Sequence, residues 1–296
     1  MKRVIKFLLP TNLLAFLAGN VINNWHLVLE QWSAFNILPF TLCFLLMLSI
    51  YPEGSVGWYI ILRKINVDIR FKNALKIWII SNTSRYIPGK IWQYLGRIEL
   101  ARREGIPRTK TFASLLIEVF LVLIAGIIVS VFSLSLLPLK EIDQWWMFLI
   151  IVPFLLLHPI FSNKIIDIVS KLSRKDFGVV KVNLSFRDTI LSLPWFILNF
   201  FINGLALFFL ISSVSHNFAP SSIIAISGFY ALSWVLGYIS FFAPGGIGVT
   251  EVSLAYLLST IMPFALASLV AILYRFLLTA AEFLVFIMVL RIKDNQ

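Results

Sequence analysis

Residues 84–97 read SRYIPGKIWQYLGR, in which Pro88 and Gly89 break an apolar and aromatic segment. The residue before a proline is disfavoured in a helix, and glycine tolerates backbone dihedral angles that other residues do not. The apolar run before the break, 74–81, is too short to cross a bilayer. The stretch therefore predicts a helix, a break and a second helix, arranged as a re-entrant or interfacial hairpin. Its cations are Arg85, Lys90 and Arg97.

The sequence around this stretch is poor in charge. Of its 296 residues 59% are hydrophobic and 13% are charged, whereas about half and about a quarter are usual in soluble domains. Because a spanning helix needs about 20 mainly apolar residues, the composition predicts an all-α, polytopic membrane helix bundle. We expect a single domain, 1–296, with about six to eight spans. Four runs contain no Asp, Glu, Lys or Arg: 7–29, 31–52, 144–163 and 189–250.

The spans follow these runs, with one predicted interruption. The second span, about 36–62, contains Pro52, Glu53 and Gly54, and this triplet predicts that the apolar helix ends early and leaves 58–62 at the interface. Apolar residues at helical spacing in the basic loop 164–188 predict an amphipathic helix on the membrane surface. The other spans are predicted at about 7–29, 111–139, 146–162, 191–213, 221–242 and 264–290, with a short apolar helix at 252–262.

The formal net charge of +11 is concentrated in loops. Between Arg63 and Lys110, twelve Lys and Arg residues face three acidic ones. Such an excess predicts a cytoplasmic loop, cytoplasmic N- and C-termini and a place in the cytoplasmic (inner) membrane. Cations between spans favour anionic lipids as partners rather than nucleic acid. One cysteine and three scattered histidines predict neither a metal site nor a cofactor.

A second break, 243–251 (APGGIGVTE), corresponds to the first one. Pro244 breaks the chain, and glycine amides ahead of a helix that begins near Thr250 can approach an anion. Each break is followed by a similar tetrad, FASL at 112–115 and LASL at 266–269. Paired Pro/Gly-interrupted segments are typical of transporters with internal repeats. The pattern predicts a two-fold repeat with halves 1–140 and 141–296.

Among the ionisable residues inside predicted spans, three stand out: Glu118, Arg275 and Glu282. Such residues usually face a partner or a water-filled cavity. Arg275 and Glu282 lie about 10 Å apart along one helix face, too far for a direct pair, so Glu118 and Glu251 are the acids available to Arg275. Two interpretations remain open, structural ion pairs or a cavity that binds a lipid head group. A surplus of cations favours the second interpretation, because a phosphate would complete the charge balance.

We therefore predict that the two breaks form one net-positive site for an anionic lipid head group. Pro88, Gly89 and Pro244 serve there as structural breaks. The residues predicted to line the site are Arg85, Lys90, Arg97, Glu118, Gly245, Gly246, Gly248, Glu251, Arg275 and Glu282.

Four features of the sequence occur in this order: SRYIPGKIWQYLGR, a span with Glu118, FFAPGGIGVTE and LYRFLLTAAE. Together they resemble the lysylphosphatidylglycerol synthetase transmembrane-region family, over about residues 5–292. The resemblance implies a flippase-like domain that translocates lipids between leaflets, and it implies a homodimer. The soluble aminoacyl-transferase domain of the bifunctional members is missing, so the resemblance is to a stand-alone member and implies no lysyl-lipid synthesis.

The favoured hypothesis is a lipid flippase that moves an anionic phospholipid or a lipid-linked intermediate. The alternative is a membrane enzyme, or an accessory subunit, of lipid-linked glycan assembly. The sequence contains no GxSxG, HExxH or Walker motif, and Glu30 and Glu53 are isolated rather than paired at the mouth of the early spans. Transport is therefore favoured over catalysis, and no catalytic residue is assigned.

Overall fold

The fold of the described residues is entirely helical. In the computed structural model, the regular elements within these ranges are α-helices and short 3₁₀ turns, which confirms the all-α prediction. The predicted span at 146–162 and the amphipathic helix within 164–188 lie outside the described residues, so the total of six to eight spans stays a prediction. The structure describes residues 2–26, 29, 35–87, 91–135, 186–215, 219–240 and 243–292.

Nine α-helices cover most of this part of the chain. Five of them are long and apolar enough to cross a membrane, namely α2, α5, α6 from Leu191 onward, α7 and α9. The 3₁₀ turns Thr83–Tyr86 and Pro244–Gly246 follow α3 and α7. The helices are α1 (Lys2–Asn23), α2 (Ile37–Lys64), α3 (Phe71–Asn82), α4 (Trp92–Arg103), α5 (Arg108–Ser135), α6 (Phe186–Val214), α7 (Ser222–Ile239), α8 (Val249–Leu258) and α9 (Phe264–Leu290).

The chain forms two compact units. The first unit contains the described residues within Met1–Ile50, Val129–Pro138 and Phe200–Leu284. The second unit contains those within Tyr51–Ile128, Leu139–Asn199 and Val285–Gln296. The repeat halves 1–140 and 141–296 stay a prediction.

The predicted interruption of the second span is wrong, because α2 passes through Pro52 as one helix. Trp58 is fully buried rather than interfacial. Proline is tolerated in spanning helices that pack against neighbouring helices, and beside Pro52 the Trp195 indole N–H of α6 donates to the Glu53 carbonyl at 2.9 Å. A Cβ at Gly54 would lie 2.9 Å from the Trp78 ring. The triplet at 52–54 therefore provides close packing between helices and not a helix end.

In the second unit, α3 and α4 pack against each other. They confirm the predicted order of helix, break and helix, whereas entry of this hairpin into the bilayer stays a prediction. A buried apolar cluster joins the hairpin to the C-terminal part of α2, and its burial is the main favourable term for holding the short helices in place. The cluster consists of Trp58, Leu62, Val67, Ile69, Ala74, Ile77, Ala101 and Ile106.

In the first unit, small residues allow close approach between helices. A Cβ on Gly204 of α6 would lie 1.9 Å from the Ser227 Oγ and 2.5 Å from the Ser227 Cα on α7. A Cβ on Gly228 would lie 2.4 Å from the Ser133 Cβ. Small residues at such contacts let backbones approach and pack in membrane proteins. These contacts place α7 in direct van der Waals contact with α6 and with α5.

Replacing Gly204 with alanine is expected to destabilise the protein by about 1–3 kcal/mol or more, because the added methyl group would overlap backbone that cannot move aside. The measurement is thermal unfolding of the purified protein in detergent. Gly19→Ala on α1 is the matched control, since nothing lies within 4 Å of a Cβ there. An equal melting temperature for Gly204→Ala and wild type would contradict this packing.

Candidate functional site

The second unit contains a buried ion pair between Arg97 of α4 and Glu118 of α5. Their side chains are 5% and 11% exposed. The Arg97 Nε also donates to the Ser81 Oγ at 3.0 Å. The guanidinium carbon lies 5.1 Å from the centroid of the Trp58 ring and 5.4 Å from that of Trp78, within the range of a cation–π interaction. Arg97 is thus neutralised, hydrogen-bonded and covered by aromatic rings.

The tryptophans of this cluster are hydrogen-bonded as well. The Trp78 indole N–H donates to the Glu118 Oε1 at 2.7 Å, and that of Trp58 donates to the Ser114 Oγ at 2.9 Å. Buried polar networks in which the members have partners rigidify a fold. The contacts join α2, α3, α4 and α5, so this cluster positions the short helix α4. The charge of Arg97 is therefore already matched by Glu118 within this cluster.

In the first unit, the PGGIG loop is shaped by glycines in left-handed conformations. The φ angles of Gly245, Gly246 and Gly248 are 58°, 73° and 86°, which residues with a Cβ rarely adopt. Helix α8 starts directly afterwards, and the backbone N–H of Gly248 donates to the Glu251 Oε2. Glu251 is only 1% exposed. The carboxylate of Glu251 therefore occupies the position at this helix N-terminus where the sequence predicted a bound anion.

Arg275 of α9 connects this loop to Glu251. Its Nη2 donates to the Gly245 carbonyl at 2.9 Å, and its Nε lies 3.3 Å from the Glu251 Oε1. The sequence left Glu118 and Glu251 as possible acids for Arg275, and the structure pairs Arg275 with Glu251. The Oε1 is buried and accepts no hydrogen bond among the described residues, so the pair is held by charge attraction without hydrogen-bond alignment. The Arg275 side chain is 19% exposed and that of Glu251 only 2%.

The two ion pairs have the same arrangement with opposite charge. In the second unit the cation, Arg97, is on the short helix after the break and the acid, Glu118, is on the following long helix. In the first unit the acid, Glu251, is on the short helix and the cation, Arg275, is on the long one. The two ion pairs differ in exposure to the surroundings, because of their four side chains only that of Arg275 keeps an appreciable exposed part.

The other predicted site residues fall in several places. The Arg85 guanidinium lies 5.2 Å from the centroid of the neighbouring Tyr86 ring. A Cβ on Gly246 would lie 2.8 Å from the Thr250 Oγ1, so this glycine permits close packing. Glu282 is buried on α9, with 1% of its surface exposed. Pro88, Gly89 and Lys90 lie outside the described residues, and a single site shared by the two breaks stays a prediction.

Sequence reasoning missed the partners of Glu53 on α2. The Asn199 side-chain amide donates to the Glu53 Oε2, although the two residues are far apart in sequence. Trp58, Trp78 and Ser81 were not recognised as partners of the Arg97 pair either. No local pattern marks such contacts, because they depend on which helix faces join.

The exposed face of α4 carries a contrasting group of charges. Hydrogen bonds from Arg102, and then from Arg108, hold the pKa of Glu99 at about 2. Glu99 is thus ionised except in strong acid, and its neighbours are solvated. Among the described residues, no group of three His, Cys, Asp or Glu side chains could hold a metal ion.

Comparison with known proteins identifies the family. The sequence matches the family model described as "Lysylphosphatidylglycerol synthase TM region" over residues 4–285, a range that contains both breaks and both ion pairs. A search of curated proteins found no significant match. The match covers nearly the whole chain, and within the described ranges five apolar helices are long enough to cross a membrane. The chain is therefore a multi-pass membrane protein that belongs to the lysylphosphatidylglycerol synthase TM region family.

Proposed function

We propose that this protein moves an anionic phospholipid, or an anionic lipid-linked intermediate, between the leaflets of the cytoplasmic membrane. Membership in the family indicates a membrane function related to lipids. The observation that supports the finer proposal is the partial exposure of Arg275 beside the PGGIG loop. A guanidinium presents a planar fork of N–H donors that matches the oxygens of a phosphate.

Arg275 is suited to an exchange of anionic partners. Its ion pair with Glu251 has no hydrogen-bond alignment on the Oε1, so a phosphate that approaches the guanidinium competes with a weak partner. Glu251 keeps its hydrogen bond from the Gly248 N–H during such an exchange. The bond from Arg275 to the Gly245 carbonyl would hold the head group beside the loop.

The two helices that carry Arg275 and Glu251, α9 and α8, also expose aromatic side chains. Phe276, the next residue on α9, is 69% exposed, and Tyr256 on α8 is 71% exposed. Exposed aromatic side chains on an apolar helix are suited to contact with acyl chains. We propose that the head group binds at Arg275 while the chains remain in the bilayer beside α8 and α9.

The Arg97–Glu118 pair has a different role in this proposal. Because Arg97 is covered by Trp58 and Trp78, we assign it to positioning α4 rather than to contact with lipid. Arg85 and Lys90, which flank the first break in the sequence, remain candidates for attracting anionic head groups to the cytoplasmic surface.

The test is reconstitution of the purified protein in liposomes that contain a trace of fluorescent phosphatidylglycerol. A membrane-impermeant reductant quenches only the outer leaflet, so the protected signal reports movement between leaflets. We expect the protein to accelerate loss of the protected signal compared with heat-denatured protein. A fluorescent zwitterionic lipid with the same chains is the matched substrate and should move more slowly.

The same preparation tests the enzymatic alternative. The protein is incubated with a polyprenyl phosphate and a nucleotide sugar, and lipid-linked products are separated by chromatography. Product formation without accelerated lipid movement would overturn the transport proposal and favour lipid-linked glycan assembly. Lipid movement without product would support transport.

A further inference from the structure

The carboxyl group of Glu53 is a titratable group within an apolar helix, and the proposed head-group site does not use it. Glu53 lies on α2, eleven residues before the last residue of that helix, Lys64, which corresponds to about 16 Å along the axis. Helix α2 is long and apolar enough to cross a membrane. Ionisable side chains within such helices mark ion pathways and proton relays.

The two oxygens of this carboxyl group have different surroundings. The Oε2 accepts a hydrogen bond from the Asn199 side-chain amide. The Oε1 is buried and has no hydrogen-bond partner among the described residues. The Trp195 indole N–H holds the backbone carbonyl of Glu53 at 2.9 Å, which keeps the residue facing α6. A buried ionised carboxylate with one unpartnered oxygen is unfavourable, and binding of a proton on the Oε1 removes that charge.

The charged groups on the helices packed against this part of α2 do not neutralise Glu53. Glu118 is paired with Arg97, and Lys64 lies 3.7 Å from the Asp188 carboxylate. The other charged groups on these helices are Lys72 and Lys76 on α3, Arg97 on α4, Glu118 on α5, and Arg187 and Asp188 on α6. None of them forms a salt bridge with Glu53, so the charge of the Glu53 carboxyl group depends on whether it binds a proton.

We infer that Glu53 is a proton-binding site that couples lipid movement to a proton gradient, with the proton on the Oε1 and Asn199 as the donor to the Oε2. The inference rests on the proposed transport function. The proton binds from the aqueous phase on one side and leaves to the other, so only the O–H bond forms and breaks. One coupled proton lets a gradient of one pH unit shift the distribution of the lipid between leaflets by up to about tenfold.

The first experiment detects the proton without requiring transport. Infrared difference spectra of the protein in lipid are recorded during a pH titration. We expect a C=O band of a protonated carboxyl that Glu53→Gln removes. Glu99→Gln is the matched control and should leave the band, because the pKa of Glu99 is held at about 2 by Arg102 and this exposed group stays ionised. A titration that is identical in wild type and Glu53→Gln would overturn the inference.

The second experiment measures coupling in the liposome assay with an imposed pH gradient. We expect wild type to redistribute fluorescent phosphatidylglycerol by up to about tenfold per pH unit and Glu53→Gln to show no response to the gradient. Glu53→Asp keeps an ionisable carboxyl, so it should retain both an infrared band and the response. It also serves as the second variant if Glu53→Gln fails to fold.

The outcomes separate this inference from the proposed function. Lipid movement in wild type that ignores the gradient would overturn the coupling and leave the transport proposal intact. Absence of any lipid movement would overturn the transport proposal, and the coupling with it, while the infrared titration still decides whether Glu53 binds a proton. Gradient-driven movement that depends on an acid at position 53 would support both.

Discussion

Replacing Arg275 with methionine is expected to slow lipid movement in liposomes by about ten- to a hundredfold. Hydrogen bonds to charged groups contribute about 1.5–3 kcal/mol, and a loss of that size in the transport barrier corresponds to this factor. The structural reason is that Arg275 is the exposed partner of its pair, since Glu251 beneath it is only 2% exposed. The measurement is the initial rate of loss of protected fluorescence from phosphatidylglycerol.

Two further variants separate binding from folding. Arg275→Lys keeps the positive charge opposite the buried Glu251, so it should fold, yet an ammonium is a point charge without the planar fork. We expect its rate to lie between those of wild type and Arg275→Met. Arg102→Met is the matched control, because it removes a cation from the exposed pair with Glu99 and should leave the rate unchanged. Wild-type rates for both Arg275 variants would remove Arg275 from the site.

Replacing Glu118 with methionine is expected to destabilise the protein by about 3–5 kcal/mol, the usual effect of leaving a buried charge unpaired. The change removes the counter-ion of Arg97 and the acceptor of the Trp78 indole N–H. A guanidinium remains charged in proteins, whereas a carboxyl group can take up a proton. We therefore expect Arg97→Met to be less harmful than Glu118→Met. Thermal unfolding in detergent measures both.

The double variant provides the decisive comparison for this pair. Arg97→Met combined with Glu118→Met leaves no buried charge, and replacing a buried pair with apolar residues is often neutral. We expect it to recover most of the stability lost in Glu118→Met. Glu99→Gln on the exposed face of α4 should leave the melting temperature unchanged. Additive losses in the double variant would show that Arg97 and Glu118 do not act as a pair.

Much of the helix pattern could be predicted from sequence because apolar runs and breaks are local signals. The final span was expected at about 264–290, and α9 occupies Phe264–Leu290. A helix was expected from about Thr250, and α8 begins at Val249. Pro52 misled the prediction because local sequence does not show the tryptophans, Trp78 and Trp195, that pack around it. Prolines are tolerated within membrane-spanning helices, so Pro52 alone does not mark a helix end.

The site was less predictable, because it depends on pairing between distant helices. Arg97 was counted among the surplus cations, but it is paired with Glu118 and covered by two tryptophans. The sequence narrowed the acid that pairs with Arg275 to Glu118 or Glu251, but it could not decide between them. Glu53 was considered only as an acid without a second carboxylate beside it, and its hydrogen bond from Asn199 was not predicted. Counting charges along a sequence does not reveal which of them are buried together.

The most direct test of the central claim is a solid-state NMR measurement of contact between lipid phosphate and guanidinium. Dipolar coupling between phosphorus in phosphatidylglycerol and ¹⁵N in arginine side chains is recorded for wild type and for Arg275→Lys in the same bilayers. If a phosphate replaces Glu251 at Arg275, the coupling typical of hydrogen-bonded groups is stronger in wild type than in the variant, in which only the other arginines can contribute. An identical coupling in both proteins, or none in wild type, would contradict the account.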